Sequence, residues 1–431
     1  MNTEQLYDVF CQYPVVTTDS RRCPEGSIFF ALRGETFDGN QFAVKALESG
    51  CVRAVVDDAT VATDERFIVV PDVLEALQQL ALYHRRQWGG RILQITGTNG
   101  KTTTKELVTA VLSQRYHVLS TRGNLNNHIG VPLTLLRLTA EHNFGVIETG
   151  ASHPGEIAAL SRLVQADCGI ITNVGTAHLE GFGSLDGVRK TKGELYDDLH
   201  QRSRFIFLNA FDDQLLDMAR ERGFALGVDA VPYVEGRVAE AGLFLSAQWK
   251  AEPDAPWHQI DTHLVGAYNI ANVRAAVTVG LHFGVNPAKI DAAIADYRPT
   301  NSRSEYRETQ RNRLIVDAYN ANPVSMTAAL TNFQFVDAPR KMAILGDMLE
   351  LGVHSQEEHR RVLNKLQTDG PAEAWLVGEE FSRAAGPDTP YRLFRNVEEV
   401  KAALAAEPLE NYTILIKGSQ GTGLFKLPEV L

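Results

Sequence analysis

Hydrophobic residues fall along this chain in short apolar runs separated by longer stretches with helical spacing, the pattern of strands alternating with helices. In the first 85 residues, strand patterns at Ser27–Leu32, Arg53–Asp57 and Phe67–Val70 flank a helical pattern over Asn40–Ser49, which predicts a small α/β unit. A periodic run from Val73 to Trp88 follows. Gly89-Gly90 then leads into an apolar strand, Ile92–Ile95, so a domain break is expected between Arg85 and Gly90. Further strands are expected at Val118–Leu119, Val146–Glu148, Gly169–Asn173 and Phe205–Asn209, with helices such as Lys105–Ser113 and Gly155–Leu163 between them. This alternation predicts a mostly parallel sheet with helices on both faces.

Residues 231–265 alternate weakly through GLFLSAQW and HQIDTHLV, predicting antiparallel strands appended to that sheet, before a helix at about Ile270–Gly280. Beyond the polar segment Arg298–Arg313 the cycle restarts. Strands are expected at Leu314–Asp317, Met342–Leu345, Trp375–Val377 and Thr413–Ile416, with helices at Pro323–Phe333, Gln356–Lys365 and Val397–Ala406. The third unit therefore reads as another open α/β sheet, beginning near Arg298 to Ser302. With 431 residues against the roughly 250–300 at which a single core stops growing, the expected division is 1–87, 88–298 and 299–431.

Composition narrows the classes. Hydrophobic residues make up 44% and charged residues 22%, which is ordinary for a folded chain and excludes a largely disordered one. A net charge of −11 argues against a general nucleic-acid backbone binder while leaving room for a local phosphate site. The N-terminal MNTEQLYDVF lacks a basic segment followed by an apolar run, and no apolar stretch approaches the roughly 18 residues of a membrane helix. A cytoplasmic protein without membrane insertion, acting as a monomer, is the expectation. The four cysteines, Cys11, Cys23, Cys51 and Cys168, are too scattered for a metal pair or disulfide framework and read as small core residues.

The chemistry concentrates in ILQITGTNGKTTTKE, Ile92 to Glu106, which sets glycines and a lysine between a strand and a helix. Gly97 and Gly100 permit a tight turn through Thr98 and Asn99 whose N–H groups face phosphate oxygens. Lys101 supplies charge for the β/γ phosphates, and the hydroxyl of Thr102 or Thr103 reaches magnesium. ATP is the expected ligand, although Gly97-x-x-Gly100-Lys101-Thr102 is two residues shorter than the usual mononucleotide loop, and a chance Gly-Lys-Thr turn is the plain alternative. Ligands in such sheets bind beyond the carboxyl ends of strands, which selects Glu148, Asn173 with His178 after it, Lys192 in a following helical segment, and Asp317. Glu148 suits a magnesium-supporting carboxylate or a helix cap. His178 suits a metal ligand or a hydrogen-bonded loop residue, and Lys192 alone reads as a surface lysine or one paired to an acid such as Glu194.

The chain resembles the Mur ligase family, the ATP-dependent amide ligases that build the peptide of peptidoglycan precursors. The resemblance runs from DSRRCPEGSIFFALRGETFDG (Asp19–Gly39) to LIKGS near the C-terminus. GNLNNHIGVPLTLL (Gly123–Leu136), AHLEGFGS (Ala177–Ser184), KTKGELY (Lys190–Tyr196), DAYNANPVSM (Asp317–Met326) and LGDMLELG (Leu345–Gly352) are most similar to the branch that joins D-alanyl-D-alanine to UDP-N-acetylmuramoyl-tripeptide. The resemblance implies a UDP-substrate domain, a central ATPase domain and a C-terminal dinucleotide-fold-like domain. It implies ATP phosphates on Lys101, one magnesium supported by Thr102 and Glu148 and a second by His178, and a carbamylated Lys192 whose acquired negative charge supports the metal. It also implies the adenine side at Asn269 and Asn272, nucleotide contacts from Arg303 and Asp317, and the uridine nucleotide at Ser20, Arg21 and Thr36, Phe37, Asp38 and Gly39. The remaining substrate contacts would come from Asn126, Asn127, Asn320 and Asp347. Tyr268 stands where histidine is common, Ala318 where a small polar residue is, and Gln420 where arginine is. Another ligase of the Mur or folylpolyglutamate type acting on a different acceptor, or a nucleotide-binding regulatory protein without catalysis, are the competing readings; the DSR segment and NLNN loop speak against the first, and retention of Lys101, Glu148, His178 and Lys192 against the second.

Overall fold

The computed structural model describes residues 1–176, 179–240 and 242–431. Its first sheet has four parallel strands in chain order, Val16–Thr17, Ile28–Phe30, Arg53–Val56 and Phe67–Val69. The central sheet has six parallel strands in the order Ala230–Pro232, Phe205–Leu208, Cys168–Ile171, Arg91–Thr96, Phe144–Glu148, Val118–Ser120. The C-terminal sheet runs Glu305–Glu308, Arg313–Asp317, Thr413–Lys417, Lys341–Gly346, Glu373–Val377, Arg392–Phe394, all parallel except its first edge strand. Interior strands such as FGVIE and TILIK are buried at every position, as a sheet covered on both faces requires.

Residues 235–265 depart from expectation. Glu235–Glu240, Phe244–Lys250 and His258–Val265 form their own antiparallel three-stranded sheet rather than extending the central one. Pro232, without an N–H, ends the central sheet's edge strand, and Leu245, Ala247, Trp249, Ile260 and Leu264 bury their alternate positions in the core shared with the helix Ile270–His282. The polar segment after Arg298 also contains a strand, Glu305–Glu308, paired antiparallel with Arg313–Asp317. Among the cysteines, Cys51 and Cys168 are buried, Cys23 is half-buried, and Cys11 is exposed, so the core reading fails for Cys11.

The expected break between Arg85 and Gly90 is tightly held. One hydrophobic cluster runs from Ile28, Phe30 and Val55 through Leu77 and Leu80 of the helix Val73–Gln87 to Ile147, Leu160 and Leu195 of the central unit. Arg85, almost fully buried, donates to the carbonyls of Val164, Trp88, Gly90 and Gln165 and to the Asp167 carboxylate, all at 3.1–3.2 Å. Five acceptors satisfy the five donors of a guanidinium, which is what makes its burial tolerable. The helix Val73–Gln87 is thereby anchored to the central unit while its other face packs on the first sheet.

Candidate active site

The phosphate loop follows the central strand Arg91–Thr96 and enters the helix Lys101–Leu112. Gly97 has φ +143°, and a Cβ there would lie 2.0 Å from Thr172 Oγ1; Gly100 has φ +77°, and a Cβ would meet Asn272 Oδ1 at 2.7 Å. Both positions exclude other residues by backbone and by space. The loop is stitched to the neighbouring strand end: Thr98 N donates to Asn173 O, Asn99 N to Asn173 Oδ1 at 2.9 Å, and Thr172 Oγ1 to Asn99 O at 2.6 Å. No side chain caps the helix that follows, so its first-turn amides and positive dipole end remain available to phosphate.

Lys101 Nζ folds back onto the carbonyls of Gly97 and Thr98 at 2.7 and 2.9 Å. Burial pushes its pKa down to about 8, opposed by Glu148 and reinforced by Arg303. Glu148 is fully buried at the end of the adjacent strand; Oε1 accepts from Asn126 Nδ2 at 2.8 Å, while Oε2 has no hydrogen-bond partner. Thr102 Oγ1 is likewise buried without a partner. Two unsatisfied hard oxygens beside a phosphate loop are a fitting donor set for magnesium, which takes one or two protein ligands and completes its shell with phosphate and water. The described residues contain no group of three or more histidine, cysteine or acidic side chains suited to a metal by themselves. His178 lies outside the described residues.

Lys192 is 2% exposed and makes no hydrogen bond or ion pair with any described residue, which overturns its reading as a surface lysine. The Glu194 alternative fails as well, because that carboxylate accepts from Gly155 N and Ala158 N at 2.8 Å each and so caps the helix Glu156–Val164. Burial first, then the Lys101 charge, push the Lys192 pKa down to about 7, with Glu156 and Glu194 opposing.

A cleft of about 1100 Å³ opens over this loop between the central and C-terminal sheets, with Gln78, Gln79 and Leu82 of the helix Val73–Gln87 at its edge. Thr98, Asn99, Gly100, Lys101, Thr103, Asn126, Asn127, Glu148, Asn269, Asn272, Arg303, Asp317 and Asn320 line it. Gly97, Thr102 and Lys192 are not part of its lining. Asn269 and Asn272 are joined to each other at 2.8 Å, and Thr104 Oγ1 donates to Asn272 Oδ1. Arg303 lies 3.8 Å over the Tyr319 ring with its Nε unpaired, while Asp317 accepts from Lys417 Nζ at 2.6 Å and from Ser304 N at 3.2 Å. Tyr268 bridges to Ser304 at 2.7 Å, Gln420 lines the cleft, and Ala318 is fully buried.

Ser20, Arg21, Thr36, Phe37, Asp38 and Gly39 are not brought to this cleft; they follow the ends of two adjacent parallel strands of the first sheet. Arg21 pairs with Asp19 at 2.8 Å, Asp38 accepts from Asn40 N, and the Phe37 ring is exposed. Asp347 also stays off the cleft wall. Its carboxylate accepts from Glu380 N and Phe381 N at 3.0 and 2.9 Å, capping a helix and holding the loop after the strand Lys341–Gly346. Sequence reasoning passed over Asn322, whose Nδ2 donates to Asn99 Oδ1 at 2.8 Å across the two nucleotide-side sheets, and Lys417. The signal for Asn322 was its place before Pro323, since an asparagine preceding a proline that opens a helix is a capping position; here it accepts from Ser325 N.

Comparison with known proteins bears on this geometry. The Mur ligase family catalytic domain matches residues 12–85, the Mur ligase middle domain 95–280, and the Mur ligase glutamate ligase domain 302–420. The UDP-N-acetylmuramoyl-tripeptide–D-alanyl-D-alanine ligase of Escherichia coli is 34% identical over 431 residues, covering 96% of this chain and 93% of that one. The chain belongs to the Mur ligase family. The enzyme of the same name from Bacillus subtilis is 36% identical over 354 residues, 80% of this Mur ligase and 76% of the relative. Among solved structures, MurF from Acinetobacter baumannii superposes with a TM-score of 0.82 at 31% identity, covering 96% of this chain and 92% of that one. The three-domain α/β architecture is that of the family.

Proposed function

We propose that this Mur ligase joins D-alanyl-D-alanine to UDP-N-acetylmuramoyl-tripeptide with ATP, in peptidoglycan precursor synthesis. The observation that carries the reading is a phosphate loop, two unsatisfied metal-binding oxygens and a guanidinium with an unpaired Nε gathered around one cleft, in a chain similar over 96% of its length to a ligase of that name. A carboxylate and an amine do not condense in water without activation. The tripeptide's terminal carboxylate attacks the γ-phosphorus of ATP, ADP leaves, and the resulting acyl phosphate is attacked by the dipeptide amine. The tetrahedral intermediate re-forms its carbonyl as the C–O bond to phosphate breaks, phosphate departs with that bonding pair, and the amine nitrogen loses a proton.

Lys101 and the amides of the helix Lys101–Leu112 would hold the phosphates, Asn269 and Asn272 the adenine side, and Arg303 the charge from the third sheet. Thr102 and Glu148 would hold magnesium, and His178 a second ion. When bound, these ions neutralise phosphoryl charge. Asn126 orients Glu148, and Asn127 and Asn320 stand where the peptide passes. The Asn99–Asn322 contact couples the third sheet to the phosphate loop, so closure excludes water when the acyl phosphate forms. Asp347 would act on the amine site through the loop it anchors.

Lys192 is assigned a carbamate. A buried amine with a pKa near 7 is substantially neutral at physiological pH, and a neutral amine adds carbon dioxide and releases a proton to give an anion. The first sheet, residues 1–87, would hold the uridine nucleotide over Ser20, Arg21 and Thr36 to Gly39. Residues 88–298 and 299–431 would form the catalytic and closing domains. No helix among the described residues is long and apolar enough to cross a membrane, and a cytoplasmic monomer is the accompanying proposal. Uptake of D-alanyl-D-alanine into the tripeptide nucleotide, coupled one to one to ADP formation, tests the assignment.

A further inference from the structure

The helix Lys101–Leu112 buries a lysine that the ligase chemistry above does not use. Lys105 is 0% exposed, on a helix whose other fully enclosed positions include Leu107, Val108, Val111 and Leu112. Its Nζ donates to Thr121 O at 2.7 Å and meets the Glu106 carboxylate at 2.8 Å. Packing of helix on sheet would be served as well by an apolar side chain of the same length, because the attraction between buried partners often does no more than offset the cost of taking an ammonium out of water. What the charge secures is Thr121.

Thr121 follows the edge strand Val118–Ser120 and is itself buried. Its N donates to Val146 O at 3.1 Å and its Oγ1 accepts from Glu148 N at 2.9 Å, so it fixes the main chain of the metal-suited carboxylate. The loop that leaves it reaches Asn126, whose Nδ2 donates to Glu148 Oε1 at 2.8 Å and whose O accepts from Gly150 N at 2.8 Å. Thr102 lies three residues before Lys105 and shares its face of the helix. One helix thus carries a partnerless metal-suited oxygen, Thr102 Oγ1, and one turn later the tie to the segment that orients the other, Glu148 Oε2. Magnesium accepts little departure from octahedral geometry with donors at about 2.1 Å, so the spacing of two donors on different elements has to be held.

We propose that Lys105 is a positioning residue for the magnesium site. It sets the distance between Thr102 Oγ1 and Glu148 Oε2 by joining the phosphate-loop helix to Thr121, and through the Thr121 to Asn126 segment to the main chain and side chain of Glu148. This rests on the ligase reading above and on Thr102 and Glu148 as the magnesium donors. Lys105 does not line the cleft, so it acts through these neighbours alone.

The test replaces Lys105 by methionine, which keeps the stem and removes the ammonium. In the metal-free protein the amides of Glu148 and Gly150 should exchange with solvent deuterium ~10-fold faster, while those of the strands Cys168–Ile171 and Phe205–Leu208 keep wild-type protection. In the loaded enzyme the magnesium concentration for half-maximal amide formation should rise by ~10- to 100-fold, as for other residues that orient a metal ligand, with KM for the UDP nucleotide unchanged. Added to Asn126→Ala, Lys105→Met should cost less than it does alone, since both act on Glu148. Thr121→Val cuts the same connection at its Glu148 end and should show the same magnesium defect, which keeps the test decisive where Lys105→Met does not fold. Wild-type magnesium dependence in Lys105→Met or in Thr121→Val overturns the proposal. So does exchange that rises across the whole central sheet, or full additivity with Asn126→Ala, either of which marks a general structural role. If Glu148→Gln leaves magnesium dependence intact, or the wild-type enzyme forms no amide, the metal or the ligase reading falls, and the proposal with it, whatever the Lys105 variant does.

Discussion

Replacing Lys192 by alanine examines the least ordinary assignment in the site. The side chain is 2% exposed and has no hydrogen-bond or ion-pair partner among the described residues, and its pKa falls from 10.5 to about 7 through burial and then the Lys101 charge. At pH 7 about half the amines are therefore neutral, against roughly one in 3,000 for an unperturbed lysine, so the form that adds carbon dioxide is enriched by ~1,000-fold. The folded pKa lies below the unfolded one, so the unfolded chain binds more protons between pH 7 and 10.5. The cost of burying the charged ammonium is therefore full below pH 7 and fades as pH rises toward 10.5. Lys192→Met in carbonate-free buffer should accordingly melt higher than wild type at pH 6, with the gain shrinking by pH 10. Lys192→Ala should lose turnover on the scale of a removed transition-state interaction, ~100- to 1,000-fold, and recover part of it with acetate but not with chloride at matched ionic strength. Carbon-13 NMR of wild type equilibrated with labelled bicarbonate should show one slow carbamate carbonyl absent from the variant. A nearly active Lys192→Ala enzyme, or inactivity with neither acetate rescue nor a carbamate signal in wild type, would refute the reasoning.

Lys101→Ala should nearly abolish amide formation while circular dichroism stays native, and in wild type the KM for ATP should climb as pH passes about 8, where this lysine loses its proton. Glu148→Gln should weaken magnesium dependence and turnover without changing affinity for the UDP nucleotide, whose expected contacts lie on the first sheet; titrations with each ligand separate the two effects. Asn322→Ala removes the 2.8 Å hydrogen bond to Asn99 and a helix cap at once. It should cost about 1 kcal/mol of stability by the cap alone, read by denaturant unfolding, and raise the KM for ATP; Asn322→Ser, which keeps a capping oxygen, should restore the stability but not the KM.

Strand and helix order was legible because interior parallel strands such as FGVIE and CGII are apolar at nearly every position, with no competing periodicity. The phosphate loop was legible because Gly97 and Gly100 answer local demands that only glycine meets. Edge strands were harder. Glu305–Glu308, EYRE, carries charge at the sheet edge, where Arg307 and Glu308 are exposed and Glu305 is buried but paired to Arg307, and pairing with Arg313–Asp317 rather than apolar content makes it a strand. The separate sheet over 235–265 carries the same alternation as an appended one would, and only the proline that ends the central edge distinguishes them. Side-chain duty was least legible: Asp347 and Glu148 both follow apolar strands, yet one meets two backbone amides and the other keeps an unsatisfied oxygen. That difference comes from residues more than twenty positions away in either case, which local pattern does not contain.

Mass spectrometry of the nucleotide product formed from ATP, UDP-N-acetylmuramoyl-tripeptide and D-alanyl-D-alanine decides whether this Mur ligase joins the dipeptide. A single product heavier by one D-alanyl-D-alanine less one water is expected, with one ADP and one phosphate released per amide. ATP hydrolysis without that product, or amide formation with another amine in preference to the dipeptide, would contradict it.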